Sequence, residues 1–265
     1  MTAGETSPSR AKRRYAALAV LSPVLLLLVW TLLTVRGSVP PVILPSPSAV
    51  AASLWDMIER GYSGTPIGTH IAASLMRVGV AFMLGAMLGV PIGLLRGRVS
   101  SIDALFVAPS AILLPIPPLG LIPLFILWFG IGELSKIVLI FLFVFLIMMV
   151  NAQAGANAVG LDTLRAAQSM GANRWQVFRF VVLPSALPQI MTGLRIAMGT
   201  ALTILVASEL LGGDRGLGFV ILDASSFFRT TYVFAGIILI GFIGLISDRA
   251  IAYAARRIVH WEGRR

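Results

Sequence analysis

Few side chains in this sequence can do chemistry in apolar surroundings, and they lie far apart. Arg77, Arg195 and Glu209 are the ionisable residues that fall within long apolar runs or at their ends. Charges at membrane depth mark ion pathways and proton relays, so these three are what an ion-coupled transporter would use. Each sits near the end of its run, where a long side chain reaches the interface. A charge at mid-bilayer costs ~2.5–3.5 kcal/mol. Arg77 is therefore expected to snorkel or to pair within the bundle, and Arg195 to snorkel. Glu209 has two readings. It stands near the outer mouth of a pathway, touching substrate or a delivery protein, or it pairs with Arg215 or another loop base. A carboxylate in a pathway would repel an anionic substrate.

Other chemistries are excluded residue by residue. There is no Cys, which removes disulfides, thiolate metal sites and Cys catalysis. His70 and His260 are the two histidines, too far apart for a local metal motif. No H-E-x-x-H or G-x-S-x-G occurs, which argues against a membrane-embedded enzyme. No G-x-x-x-x-G-K-[ST] occurs, so Leu211–Gly218, LGGDRGLG, reads as a flexible connection.

The elements that carry these residues are membrane helices. The chain is 57% hydrophobic and 12% charged, against about 25% charged in soluble domains. A net charge of +10 would fit nucleic acid, but its distribution fits basic flanks at a membrane. Residues 1–15 read as a disordered cytoplasmic tail carrying Arg10, Lys12, Arg13 and Arg14, and 16–34 as an uncleaved first span. Residues 35–66 are extracytoplasmic. VPPVILPSP over Val39–Pro47 cannot be regular helix, and Ser48 is expected to cap a short helix, Ala49–Arg60, anchored by Trp55.

Ile71–Leu95 is the second span. Gly85, Gly89, Gly93 and Gly97 recur on one helical face, a spacing that admits another helix backbone. Ala104–Gly132 is free of charge but carries five prolines. It should break at Leu114–Pro118, and irregular backbone at membrane depth survives only inside protein or beside a water-filled cavity. Pro117 and Pro118 are thus pathway candidates, with Glu209. Ile137–Asn151, Ile190–Leu211 and Thr230–Ser247 complete six spans, with a short interfacial helix over Leu217–Phe228 and a basic tail over 252–265. With the N-terminus inside, cytoplasmic segments hold 15 of the 21 basic residues, the positive-inside pattern. The class is an all-α integral membrane protein with both termini cytoplasmic.

That topology places Asp162–Pro188, DTLRAAQSMGANRWQVFRFVVLPSALP, in the cytoplasm. Asp162 is expected to cap a helix over Thr163–Met170 and Gly171 to end it. Asn173 should cap a second helix with Gln176 as capping-box partner, Trp175, Phe178 and Val182 sharing one face. Pro184 and Pro188 should stop it before the fifth span. The first helix then presents Ala166, Ala167 and Met170, small enough for insertion into a partner groove. The competing reading is a helix pair lying on lipid headgroups.

Ala166-Ala167, three residues, Gly171, nine residues, Val181, one residue, Leu183-Pro184 resembles the "EAA" signature of permease subunits of binding-protein-dependent ABC importers. The family usually has Glu before the two alanines, where this chain has Arg165. SLMRVGVAF, PIPPLGLIPLFILWFGIGELSK and the long segment from GLRIAMGT to GLISDR are similar to the nitrate, sulfonate and taurine subgroup. The resemblance implies a type I ABC importer permease fold, with a transmembrane type-1 domain over 67–251 and a coupling loop at about 157–188. It implies a permease homodimer, two cytoplasmic ABC ATPase subunits and an extracytoplasmic binding protein, in a bacterial plasma membrane. It implies no nucleic-acid partner, and ATP and Mg used by the ATPase rather than by this chain. Arg165, Ala166, Ala167, Met170 and Gly171 would form the docking helix, with Val181, Leu183 and Pro184 as its brace. The implied substrate is a small anion such as a sulfonate, taurine or nitrate. An ion-coupled secondary transporter is the alternative, and a channel subunit would not need so long a braced loop.

Overall fold

A computed structural model describes residues 8–210 and 213–261. Among them every regular element is helical: α1 (Pro8–Val35), α2 (Pro47–Arg60), α3 (Ile67–Arg96), α4 (Ser100–Leu113), α5 (Pro118–Phe129), α6 (Glu133–Asn157), α7 (Leu161–Ser169), α8 (Arg174–Val177), a π-helical turn (Phe178–Val182), α9 (Leu183–Leu210), α10 (Leu217–Ser226) and α11 (Thr230–Ile258). Five helices are long and apolar enough to cross a membrane. The bent pair α4 and α5, meeting at 103°, makes a sixth if it counts as one span.

The centre is α6, held between α3 and α9. Close approach requires small residues, and α3 supplies them. A Cβ at Gly85 would lie 2.6 Å from the Val144 side chain, and one at Gly89 would lie 2.7 Å from the Phe145 carbonyl oxygen. Gly93 faces the Met149 carbonyl in the same way, and Gly97 the Ala156 methyl. On the other side of α6, Gly155 meets Ala186 of α9, and Gly193 of α9 meets Asn151 of α6. The core between them is built on Val144, Met148, Ala152, Ala197, Ala201 and Leu205. A second core joins α2, α10 and α11 through Val50, Met57, Tyr62, Leu217, Val220 and Ala235. Tyr62 donates to Asp223 at 2.8 Å. Burial, then this bond, push its hydroxyl pKa above the ordinary value.

Several boundaries differ from the sequence reading. The N-cap of α2 is Ser46, accepting from the Ala49 amide at 3.2 Å, because Pro47 suits the first helical position. Ser48 therefore lies inside the helix. α1 begins at Pro8, so Arg10 and Lys12–Arg14 are helical rather than in a disordered tail; residues 1–7 lie outside the described residues. It joins the rest through Trp30, which stacks on Phe234 at 5.7 Å and donates to the Pro45 carbonyl. α11 runs on past Ser247, so Arg249, Arg256 and Arg257 lie on helix, while Arg264 and Arg265 fall outside the described residues.

The largest departure is at Pro184 and Pro188, which do not stop the helix. Backbone from Arg174 to Leu210 forms one continuous 37-residue rod. Pro184 lacks an N–H and its ring crowds the carbonyl four residues back. The widened turn over Phe178–Val182 sits at that point, so the break becomes a π-turn instead of an end.

Candidate functional site

The loop between α6 and α9 is built by caps. The N-cap of α7 is Gly160, which offers no side chain, and Asp162 is already inside the first turn. Its carboxylate favours the helix N-terminus through the dipole instead of by capping. The end of α7 is as expected. Gly171 has φ +85°, its amide donates to the Gln168 carbonyl at 2.9 Å, and the Ala172 amide donates to Ala167 at 3.1 Å. This is the paired-bond ending that needs a residue in the left-handed region. Asn173 and Gln176 then close a capping box with two 2.8 Å bonds.

These caps sort the side chains. Ala167 turns inward and is buried against the core, so it is not on the presented face. Ala166 and Met170 face out, Met170 being 83% exposed. Arg165 is open to solvent and 3.8 Å from Asp162, a loose pair worth little at a surface. Val177 and Val182 are buried, and Val181, Leu183 and Pro184 are half-buried beneath the loop. Trp175 does not share the inward face with Val182; it is exposed and stacks on Phe178 at 5.8 Å. Beside Gly171, a cleft of about 360 Å³ opens between Ala167, Met170, Gln176 and Phe180.

The opposite end of the bundle holds a buried charge network that the sequence reading did not assemble. Arg77 is 1% exposed, so it does not snorkel. Its Nε and Nη2 donate to Glu133 at 2.5 and 2.6 Å, and its Nη1 donates to Glu209 at 2.5 Å and to the Arg215 carbonyl at 2.8 Å. Ser74, one turn earlier on α3, donates to Glu209 at 2.8 Å and accepts from the Leu217 amide at 2.9 Å. The Gly218 amide donates to Glu209 at 2.8 Å, and the Gly216 amide to His70 Nδ1 at 3.2 Å. Glu209 thus pairs with Arg77, not with the Arg215 side chain, which points to Asp214 at 4.0 Å.

This corrects the reading of LGGDRGLG. In its described part, Gly213–Gly218, the turn is pinned rather than flexible. Gly216 has φ +125°, and a Cβ there or at Gly218 would collide with Glu209. The glycines are required by a buried carboxylate. Glu133, at the first position of α6, is the second acid of the network. Its signal was its place in the first turn of an apolar helix, together with an arginine that had to find an acid. Lys136, one turn on, is also buried. Among the described residues no group of His, Asp and Glu could hold a metal.

The other singled-out residues separate. Arg195 does not snorkel alone; it makes a two-pronged pair with Asp248 of α11 at 2.7 and 3.1 Å. Pro117 and Pro118 lie at the break between α4 and α5, Pro117 exposed and Pro118 opening α5. Neither takes part in the hydrogen bonds and ion pairs of the Glu209 network.

A family model described as "Binding-protein-dependent transport system inner membrane component" matches residues 81–260. The chain is 38% identical over 251 residues to the taurine transport system permease protein TauC of Escherichia coli (strain K12), covering 94% of this chain and 91% of that one. It is 35% identical over 253 residues to the putative aliphatic sulfonates transport permease protein SsuC of Bacillus subtilis (strain 168), covering 95% and 90%. It is 32% identical over 247 residues to the nitrate import permease protein NrtB of Synechocystis sp. (strain ATCC 27184 / PCC 6803 / Kazusa), covering 89% and 87%. In fold it is similar to a chain of the MetNI methionine ABC transporter in an inward-facing conformation. The TM-score is 0.63 at 20% identity, covering 71% of this chain and 94% of that one. The fold is that of a type I ABC importer permease.

Proposed function

We infer the function from one premise: the chain belongs to the family of inner membrane components of binding-protein-dependent transport systems. It is a permease subunit of an ABC importer, and ATP hydrolysis lies in a separate subunit. The ion-coupled alternative falls to that membership. The acid and base that might have coupled ions, Glu209 and Arg77, are bonded to each other.

In our reading the chain pairs with a second copy, and the translocation path runs between them past the α4–α5 break at Pro117 and Pro118. Each copy seats one ABC ATPase, and an extracytoplasmic binding protein delivers the substrate. The termini are cytoplasmic, by the positive-inside distribution. The observation that carries the docking assignment is α7. It is a capped two-turn helix with Ala166 and Met170 exposed, and Ala167, Val177 and Val182 anchor it to the core. Such a helix moves as a unit with its partner and passes that movement to α9 through the continuous rod from Arg174. The names of the relatives, which specify taurine, aliphatic sulfonates and nitrate, favour a small anion, with a sulfonate first.

Two experiments test this. Co-expression with the cognate ATPase should give a stable complex that Gly171→Asp abolishes, and normal assembly and transport in that variant would contradict the docking assignment. A ligand screen of the cognate binding protein should return a sulfonate, taurine included, or nitrate; a ligand with neither a sulfonate nor another anionic group would overturn the substrate assignment.

A further inference from the structure

A cavity of about 620 Å³ lies between the turn that ends α3 and the α7–α8 loop. That volume is in the range of small-molecule sites, ~300–1,000 Å³. Its polar lining is Arg98, Gln168 and Arg174, and its apolar wall includes Leu95, Leu164 and Phe178. No carboxylate lines it. Arg98 donates one Nη2 hydrogen bond to the Ala156 carbonyl, but its Nε is buried and has no hydrogen-bond partner. A buried guanidinium donor without an acceptor is rare, and an anion alongside would satisfy it. Burial also draws the Arg98 pKa below the ordinary guanidinium value, a shift that a neighbouring anion opposes.

The surroundings select the kind of anion. Arg96 and Arg98 follow the last apolar turn of α3, where a span meets its interface. Leu95, at the end of the apolar α3, and Leu164 form part of the cavity's apolar wall. Two guanidinium groups above an apolar wall, at a membrane surface, fit a charged head on hydrocarbon chains. We propose that the cavity between the α3 turn and the α7–α8 loop binds one anionic phospholipid per chain, its phosphate on Arg98 and Arg174. Leu164 and Gln168 belong to α7, so the lipid would bridge the docking helix to the α3 turn. They lie on a different face of α7 from Arg165 and Ala166. The inference shares with the docking assignment only the cytoplasmic placement of the loop.

The test is native mass spectrometry of the assembled transporter from membranes containing phosphatidylethanolamine and phosphatidylglycerol. One phosphatidylglycerol should remain per permease chain after delipidation. Arg174→Gln, at an exposed side chain, should lower its occupancy about fivefold, the effect of ~1 kcal/mol per basic group. Arg98→Gln should lower it at least as much. Arg256→Gln with Arg257→Gln, on α11 and outside the cavity lining, should not change it. No retained phosphatidylglycerol in the wild type, or equal retention in Arg174→Gln, overturns the proposal. Displacement by millimolar inorganic phosphate would also overturn it, by assigning the site to a free anion. Loss of lipid with the ATPase still attached separates this site from docking; loss of the ATPase in Gly171→Asp with lipid retained breaks docking alone.

Discussion

The two ends of the bundle treat their charges in opposite ways. At the end where α3 begins, Arg77, Glu133, Glu209 and Ser74 bond to one another and to the amides of Leu217 and Gly218. At the other end, Arg165, Arg174 and Arg179 stand exposed beside Met170, Trp175 and Phe180. The first arrangement has its partners inside the chain. The second has caps that fix its shape and leaves its side chains to something outside. A network closed on itself is scaffold, and in the proposed arrangement the rigid element with open side chains is an interface. Glu209, the acid that looked most like pathway chemistry, belongs to the scaffold.

Substitutions can break this contrast or sharpen it, in descending size. Arg77→Ala leaves Glu209 buried and unpaired, and should cost about 3–5 kcal/mol, read as loss of folded protein in thermal unfolding in detergent. Glu133→Gln should cost much less, because Glu133 is half-exposed and water can replace its partner. If both cost the same, burial is not what makes the network a scaffold. Gly93→Leu drives a side chain into the Met149 backbone and should cost about 1–3 kcal/mol or more by overpacking.

At the opposite end the effects should move from stability to assembly. Gly171→Ala places a Cβ at φ +85°, a strain of roughly 1–2 kcal/mol confined to the loop. Bundle melting should hardly shift while ATPase binding weakens. Arg165→Glu should change stability by no more than about 0.5 kcal/mol, yet alter affinity for the cognate ATPase as salt is varied. An unaltered affinity would show that the arginine standing at the usual glutamate position is neutral to docking.

What could be read in the sequence was what local rules govern. The Gly171 ending and the Asn173–Gln176 box depend on residues within a few positions, and both are present. The glycine spacing of α3 is a one-helix pattern, and it lies against α6. The misjudged features depend on residues far apart in the chain. Arg77 and Glu209 are separated by 132 positions, and no periodicity reveals such a pair. Gly216 and Gly218 looked like flexibility because the carboxylate that demands them approaches from α9. Pro184 was misjudged for a local reason: a proline that would end an α-helix is absorbed by the π-turn over Phe178–Val182.

In the proposed arrangement α7 seats an ATPase at the inner face. The chain has no native cysteine, so Met170→Cys is a single probe. Inside-out vesicles carrying it should be treated with a membrane-impermeant maleimide, with the cognate ATPase bound and after it is stripped away. Labelling should be slow with the ATPase in place and fast without it. Equal labelling in both states, or labelling only from the outer face, would contradict it.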